Sequence, residues 1–395
     1  MQHSTKNIII LIIWSSIVYT IVSFCNEYNK NINILNKNQS TNTTHKKTFS
    51  FTKQEIKNIE NYFDKKYKYQ RFNGTVLIGQ KDSILFQKNY GYSNYKSRSL
   101  INNNSIFQLA SVSKQITAVA ILQLYQKGLL NINDSIQKFI PSFPYKNITI
   151  QQLLTHRSGL PNYHYFYQYI PTTYDTILNN NDVINEMITK KPKAYYTPNK
   201  RYLYSNTGYA ILAYIVETVA NTSFNKYIHK NIFTPLKMYN SFTYIDILSG
   251  KKENTTGYLR RWKPAEYNYL DGVMGDKGIF CSAKDLFKWD QGLYTGKIIN
   301  TDTLKLAFRP LGKPKRFKSN YGFGWRMYNK DSIKILYHAG WWHGYRSLLM
   351  RIEQDSTTII VLRNRSKGSS ISYKKIVNII YSNNTNDSNP SNISK

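Results

Sequence analysis

Cysteine is almost missing from this chain of 395 residues, which carries Cys25 and Cys281 alone. Two thiols so far apart exclude a disulfide-stapled fold and any thiolate zinc cluster. The histidines and acids show no ligand spacing such as His-Glu-x-x-His, so neither a metal nor a cofactor is expected. Acidic residues are the second shortage: 22 Asp+Glu stand against 54 Lys+Arg, a formal net charge of +32. That balance invites a nucleic-acid reading, but the basic residues are scattered and form no dense arm or module signature. We therefore expect no specific nucleic-acid partner and read the charge as that of a Lys/Asn/Ile/Tyr-rich, acid-poor composition. Its positive field can still attract anionic surfaces or substrates. Glycine (19) and proline (11) are not in excess, and 41% hydrophobic residues suffice for a substantial core. No internal repeat is present.

One long apolar run exists, from Ile8 to Phe24 behind Lys6, and it reads as targeting rather than fold: a signal peptide or a single membrane anchor. Its end, Val22-Ser23-Phe24-Cys25, resembles a bacterial lipoprotein cleavage site, although Phe24 stands where a small residue is usual. Cys25 is thus the lipidation candidate, and residues 1–25 are assigned to the leader or anchor. Residues 26–50 are Asn/Lys/Thr-rich without apolar periodicity and read as a flexible tether. The folded domain is expected over 51–382, followed by a disordered tail, 383–395.

Within the domain, Phe51–Tyr69 has helical spacing, and Gly74-Thr-Val-Leu-Ile-Gly with Ser83-Ile-Leu-Phe-Gln reads as a hairpin. A mainly helical region spans about 115–296. Strands return at Tyr321–Tyr328, Ile333–His338, Tyr345–Glu353 and Thr357–Arg363, before a closing helix, Ser370–Tyr381. Strands at both ends with helices between predict an α+β fold. Its antiparallel sheet is built from N- and C-terminal strands, flanked by helices, with an inserted mainly helical lobe.

The chemistry centres on Ser111, which opens an apolar helix (Ile116, Val119, Ala120, Leu122, Leu124), with Lys114 one turn on along the same face. A serine there meets the positive end of the helix dipole and free backbone N–H groups. A nucleophile needs that neighbouring base and those donors. Ser-x-x-Lys alone carries little weight, since it recurs at Ser50, Ser93, Ser135, Ser223, Ser249 and Ser372. Tyr204-Ser205-Asn206 follows the Pro198-Asn199 turn and launches another apolar helix, Gly208–Ala220. His338-Ala339-Gly340 ends a strand. Plain readings attach to the rest: Cys281 as a buried residue, Asp134 as a helix cap, His156 and His164 as structural or cleft-rim residues.

These three elements, in this order, resemble the serine β-lactamase and penicillin-binding-protein superfamily, and more closely its class C β-lactamase, D-Ala-D-Ala peptidase and esterase branch. Phe107-Gln-Leu-Ala-Ser-Val-Ser-Lys, Leu153-Leu-Thr-His-Arg-Ser-Gly-Leu-Pro, Tyr204-Ser-Asn-Thr-Gly-Tyr, Gly278-Ile-Phe-Cys-Ser-Ala-Lys-Asp-Leu and Tyr321-Gly-Phe-Gly-Trp extend the likeness over about 72–364. The resemblance implies Ser111 as acyl-forming nucleophile and Lys114 as its activating partner. Tyr204 is implied as proton shuttle, and Asn206 as the residue that orients Lys114 or binds the substrate amide. His338 would anchor a carboxylate or tune Tyr204, and the backbone N–H groups of Ser111 and Trp341 would form the oxyanion hole. Ala339, Gly340 and Trp342 are the implied substrate contacts. We expect the Lys114 cation, with a protonated His338, to bring the Tyr204 phenol, pKa about 10 in isolation, into a working range as phenolate. Trp341 and Trp342 would narrow the acyl pocket or supply an aromatic wall, and the aromatic segment Tyr163–Tyr169 would add to the cleft rim; the plain reading of these rings is core.

His338 stands where true class C β-lactamases carry lysine. The reading is therefore an exported, membrane-tethered bacterial envelope hydrolase, monomeric, acting on D-amino-acid peptides of the cell wall or on carboxylic esters. A class C-type β-lactamase and a non-hydrolytic penicillin- or wall-peptide-binding sensor are the alternatives.

Overall fold

The computed structural model describes residues 51–166, 177–250, 254–310, 319–330, 333–368 and 371–381. The expectations for residues 1–50, including Cys25, for the tail and for Tyr167 and Tyr169 lie outside the described residues. Among the described residues no helix is long and apolar enough to cross a membrane.

The first helix, α1 (Lys53–Gln70), starts where Thr52 and Glu55 close a reciprocal capping box and stops at Arg71, which adopts a left-handed conformation. The hairpin follows as β1 (Gly74–Gln80) and β2 (Ser83–Tyr90). A short strand, β3 (Ile106–Gln108), leads to helix α2 (Ser113–Gln126). The helical region contributes α3 (Asn180–Lys190), α4 (Asn206–Ala220) and α5 (Ala283–Tyr294). It also holds strands β4 (Ser241–Thr243) and β5 (Ile279–Ser282). The C-terminal part supplies β6 (Ser319–Tyr321), β7 (Arg326–Lys330), β8 (Ile333–Trp342), β9 (Tyr345–Ile352), β10 (Thr357–Arg363) and α6 (Tyr373–Tyr381).

The main sheet has the order β2-β1-β10-β9-β8-β7-β6, so the first strands pair with the last as expected. The β1–β10 register places Val76 opposite Val361 and Ile78 opposite Ile359. Every residue of β10 is buried, because helices cover both faces. Helix α5 packs on β1 and β10 from one side, where Gly79 lets the Phe287 ring approach the backbone. The α1–α6 pair lies on the other side.

The mainly helical region also holds a strand, and two local expectations change. Ile279-Phe-Cys-Ser runs as the middle strand of a three-stranded sheet, β3-β5-β4. Phe280 stacks on Phe242 there, and Cys281 is buried as expected. Gly278, at φ +87°, turns the chain into that strand. The segment Tyr321–Tyr328 breaks into two strands at a turn, in which Gly322 N–H donates to Trp325 O. Gly324 in that turn has φ +84°, and a Cβ on it would sit 2.9 Å from Lys114 O, so the turn packs directly on α2. Asp134 is no helix cap either. Its carboxylate accepts from Asn131 N–H and Lys138 Nζ, while Ser135 caps the next short helix.

Candidate active site

Ser111 sits in a tight turn, Ala110–Val112, stacked on the start of α2. Ala110 immediately before it holds φ +49°, a conformation that costs an alanine free energy and that surrounding packing must enforce. The packing is visible: Gly340 of β8 lies against this turn so closely that a Cβ there would be 2.3 Å from Leu109 O. Ser347, paired with Gly340, donates its hydroxyl to the same carbonyl.

Helix α2 is buried around nearly its whole circumference, Lys114 included. Its ammonium lies 3.2 Å from Ser111 Oγ, 2.9 Å from Asn206 Oδ1 at the start of α4, and 2.8 Å from the main-chain oxygen of Asp276. Burial pushes Lys114 down to about 7, Asp276 pulling it up and Arg326 pushing it further down. Tyr204 is also buried, and burial raises its hydroxyl above the ordinary tyrosine range, with Ser111 and Arg326 opposing only in part. Tyr204 Oη completes no hydrogen bond with a described residue. The expected phenolate is therefore not what this environment favours. Lys114 is only about half charged near neutrality and so supports a neighbouring anion weakly, and a buried phenol resists ionisation.

His338 is corrected in the same way. Burial first, then Arg326 and Lys114, hold it well below the usual imidazole value. Its Nδ1–H donates to Ala339 O (2.8 Å), which leaves Nε2 to accept from the Tyr321 hydroxyl (3.0 Å). This neutral ring is not a cationic carboxylate anchor. The nearby cation is Arg326, whose guanidinium lies 5.5 Å from the Tyr204 ring centre and 5.7 Å from that of Tyr321. The phenols of Tyr202, Tyr321, Tyr204 and Tyr337 act on it favourably, while it opposes charge on Lys114 and His338.

From His338 onward, among the described residues, β8 has strand β9 along one edge and no strand along the other, since its pairing with β7 ends at Tyr337. That open edge carries Ala339, Gly340 and Trp341 past the Ser111 turn, where the resemblance puts a donor and substrate contacts. The side chains of Trp341 and Trp342 do not act together, however. Successive strand residues face opposite sides: Trp341 is 65% exposed under Arg346, while Trp342 turns inward and donates Nε1–H to Asp271 Oδ1 (2.6 Å).

Beneath Lys114 lies a charged cluster absent from the sequence reading. Asp276 and Lys277 are both buried. Burial alone would raise the Asp276 carboxyl, but Lys277, His164 and Lys114 overcome this and hold it at about 2. Lys277 Nζ donates to the Tyr163 hydroxyl (2.6 Å), which donates to Asp276 Oδ2 (3.1 Å). His164, expected to be structural or at the cleft rim, lies within this cluster: Nε2 is 3.6 Å from Asp276 Oδ2, and Nδ1 is 3.3 Å from Asn206 Nδ2. Thr207 ties the segment to α4 by accepting from Tyr163 N–H and donating to Pro161 O. His156 is structural, its ring centre 4.2 Å from that of Tyr204 and its Nδ1 accepting from Ser205 N–H. Among the described residues no group of three or more His, Cys, Asp or Glu could hold a metal ion.

Comparison with known proteins places this geometry. The family profile described as Beta-lactamase matches residues 57–378. A penicillin-binding protein of Bacillus subtilis (strain 168) is 32% identical over 326 residues, covering 79% of this chain and 72% of the relative. Among solved structures, a penicillin-binding protein from Bacillus halodurans superposes with a TM-score of 0.69 at 22% identity, covering 84% of this chain and 99% of that one. The D-amino acid amidase from Ochrobactrum anthropi SV3 does so with a TM-score of 0.65 at 18% identity, covering 83% and 97%. At these identities the two structures speak for the fold.

Proposed function

The chain belongs to the beta-lactamase family, and on that footing we propose that it is a serine hydrolase forming an acyl-enzyme on Ser111. One observation carries the reading: the hydrogen bonds of Lys114. A neutral amine has two N–H groups and one lone pair. Asn206 Oδ1 and Asp276 O, both acceptors, take the two N–H groups, so the lone pair falls on Ser111, whose hydroxyl becomes the donor across the 3.2 Å contact. With Lys114 about half neutral at pH 7 and increasingly so above it, the serine has a base in place.

In this mechanism Ser111 Oγ attacks the substrate carbonyl as its proton passes to Lys114. The oxyanion is received by the backbone N–H groups of Ser111 and Trp341. As the intermediate collapses, the protonated Tyr204 gives its proton to the departing amine or alkoxide and regains one from Lys114. Water then cleaves the acyl-enzyme, losing its proton to the same pair, which returns it to the departing Ser111 Oγ and restores the neutral Lys114. Arg326 suits a substrate that ends in a carboxylate, which it would bind through charge-assisted hydrogen bonds. Together with relatives named penicillin-binding proteins, this favours a D-amino-acid peptide over a simple ester or an antibiotic. The apolar run at Ile8–Phe24 and the bacterial relatives support work at a bacterial cell envelope.

The test is incubation with a fluorescent penicillin and with an activated short-chain ester, in the wild type and Ser111→Ala. Label and turnover that both vanish on substitution support the reading. Ester turnover that survives it overturns the serine mechanism, and label without turnover marks a sensor.

A further inference from the structure

The mechanism uses Asn206 as a fixed acceptor for Lys114, yet an asparagine amide is nearly symmetric and must be told which way to face. Its other end meets His164. Because Oδ1 accepts from Lys114, the group facing His164 is Nδ2, a donor, and Nδ1 of the imidazole must be unprotonated to receive it at 3.3 Å. The imidazole proton then resides on Nε2, facing the Asp276 carboxylate at 3.6 Å. We propose that His164 is a positioning residue: its unprotonated Nδ1 locks the Asn206 amide with the oxygen toward Lys114, and its protonation turns that amide over and disables the base. This rests on the reading of Ser111 and Lys114 given above.

The consequence follows from donor and acceptor counts. A protonated His164 presents N–H to Asn206 Nδ2, donor against donor. Turning the amide relieves this clash and brings Nδ2 to Lys114. The neutral amine then meets that donor only with its lone pair, the one otherwise directed at Ser111. The groups around the ring are known. Asp276 and Lys277 face it from the segment before β5, Lys114 from α2, Asn206 from α4, Trp342 from β8 (ring centres 5.2 Å apart) and Tyr163 from the same short helical turn, Tyr163–Phe166 (4.4 Å). Burial lowers its proton affinity most. Asp276 opposes, Lys277 and Lys114 reinforce the lowering, and the balance lies below the usual imidazole value. His164 is therefore neutral where Lys114 works, and it protonates on the acid side.

The test compares pH profiles of kcat/KM for an activated ester in the wild type, His164→Gln and His164→Ala, with Ser111→Ala as the blank. It also reads the wild-type His164 tautomer by histidine-selective 15N NMR. We expect the wild-type acid limb to reach a limiting slope of two, one proton each on Lys114 and His164, and His164→Gln to reduce it to one. His164→Ala should lower kcat about tenfold with KM little changed, as one orienting hydrogen bond implies. His164→Gln, whose amide oxygen can accept from Nδ2, should recover part of that loss. The NMR should show Nε2–H with a bare Nδ1 at pH 8. A slope of two kept in His164→Gln, an equal pH-independent loss in both variants, or an Nδ1–H tautomer would each overturn the proposal. Absence of ester turnover in the wild type, or its survival in Ser111→Ala, overturns the reading of the nucleophile instead. The tautomer then decides the His164 arrangement alone.

Discussion

Replacing Asp276 by Asn separates the two forces that set the working lysine. Burial is the larger and lowers Lys114; the Asp276 charge is the chief force that raises it, and together they leave it at about 7. The carboxylate stabilises the ammonium, so its removal lowers the pKa further and keeps the base neutral to lower pH. For a neighbouring unit charge at an effective dielectric constant of about 20, the interaction is on the order of 2 kcal/mol, or about 1.5 pKa units. The acid limb of kcat/KM, half-risen near pH 7 in the wild type, should thus move down by about one to two units in Asp276→Asn. The substitution also strands Lys277, buried against Asp276, and breaking one partner of a buried pair costs about 3–5 kcal/mol. Thermal unfolding should show that loss, and adding Lys277→Met should recover part of it while moving the limb partly back up, because a cation that repels the Lys114 ammonium is removed. The assay is ester hydrolysis across pH in both variants, each checked for folding by circular dichroism. An acid limb that stays in place or moves upward in Asp276→Asn refutes the claim that Lys114 is the titrating base.

Three further outcomes follow from single contacts. Gly340→Ala should cost about 1–3 kcal/mol, the usual penalty of overpacking, and depress kcat, because its Cβ would press on Leu109 O and shift β8 from the Ser111 turn; melting curves and kcat check both. Tyr204→Phe should lower kcat by about 10²–10⁴, as for loss of a general acid, with Tm unchanged or higher, since Oη has no completed hydrogen bond to lose. Arg326→Gln should raise KM for peptides ending in a carboxylate by about 10- to 100-fold, the worth of a charged hydrogen bond, and leave a neutral ester nearly untouched; equal effects on both would remove Arg326 from substrate binding.

The meeting of Ser111, Lys114 and Asn206, with Tyr204 beside them, was legible because each opens or immediately precedes an apolar helix, and hydrophobic period is what a sequence displays best. The sheet closing β1 on β10 was legible for the same reason. Asp276, Lys277 and His164 were not: Asp276 reaches Lys114 across 162 positions and His164 reaches Asn206 across 42, distances over which no local pattern speaks. One signal was present, an Asp-Lys pair inside the apolar run from Val273 to Phe280 of an acid-poor chain, where a charge must find a partner. Protonation states were hidden more deeply, because they depend on how dry the site is. A water-exposed arrangement of the same residues would give a lysine cation supporting a tyrosine anion, as the motif alone suggests. Burial opposes both charges at once: it lifts Tyr204 and lowers Lys114. In a dry site both groups are driven toward their neutral forms, and of these the amine is the base and the phenol is the acid. In the proposed mechanism, which of the two takes the serine proton is thus decided by packing around α2, Gly324 and Gly340 included, rather than by the motif residues themselves.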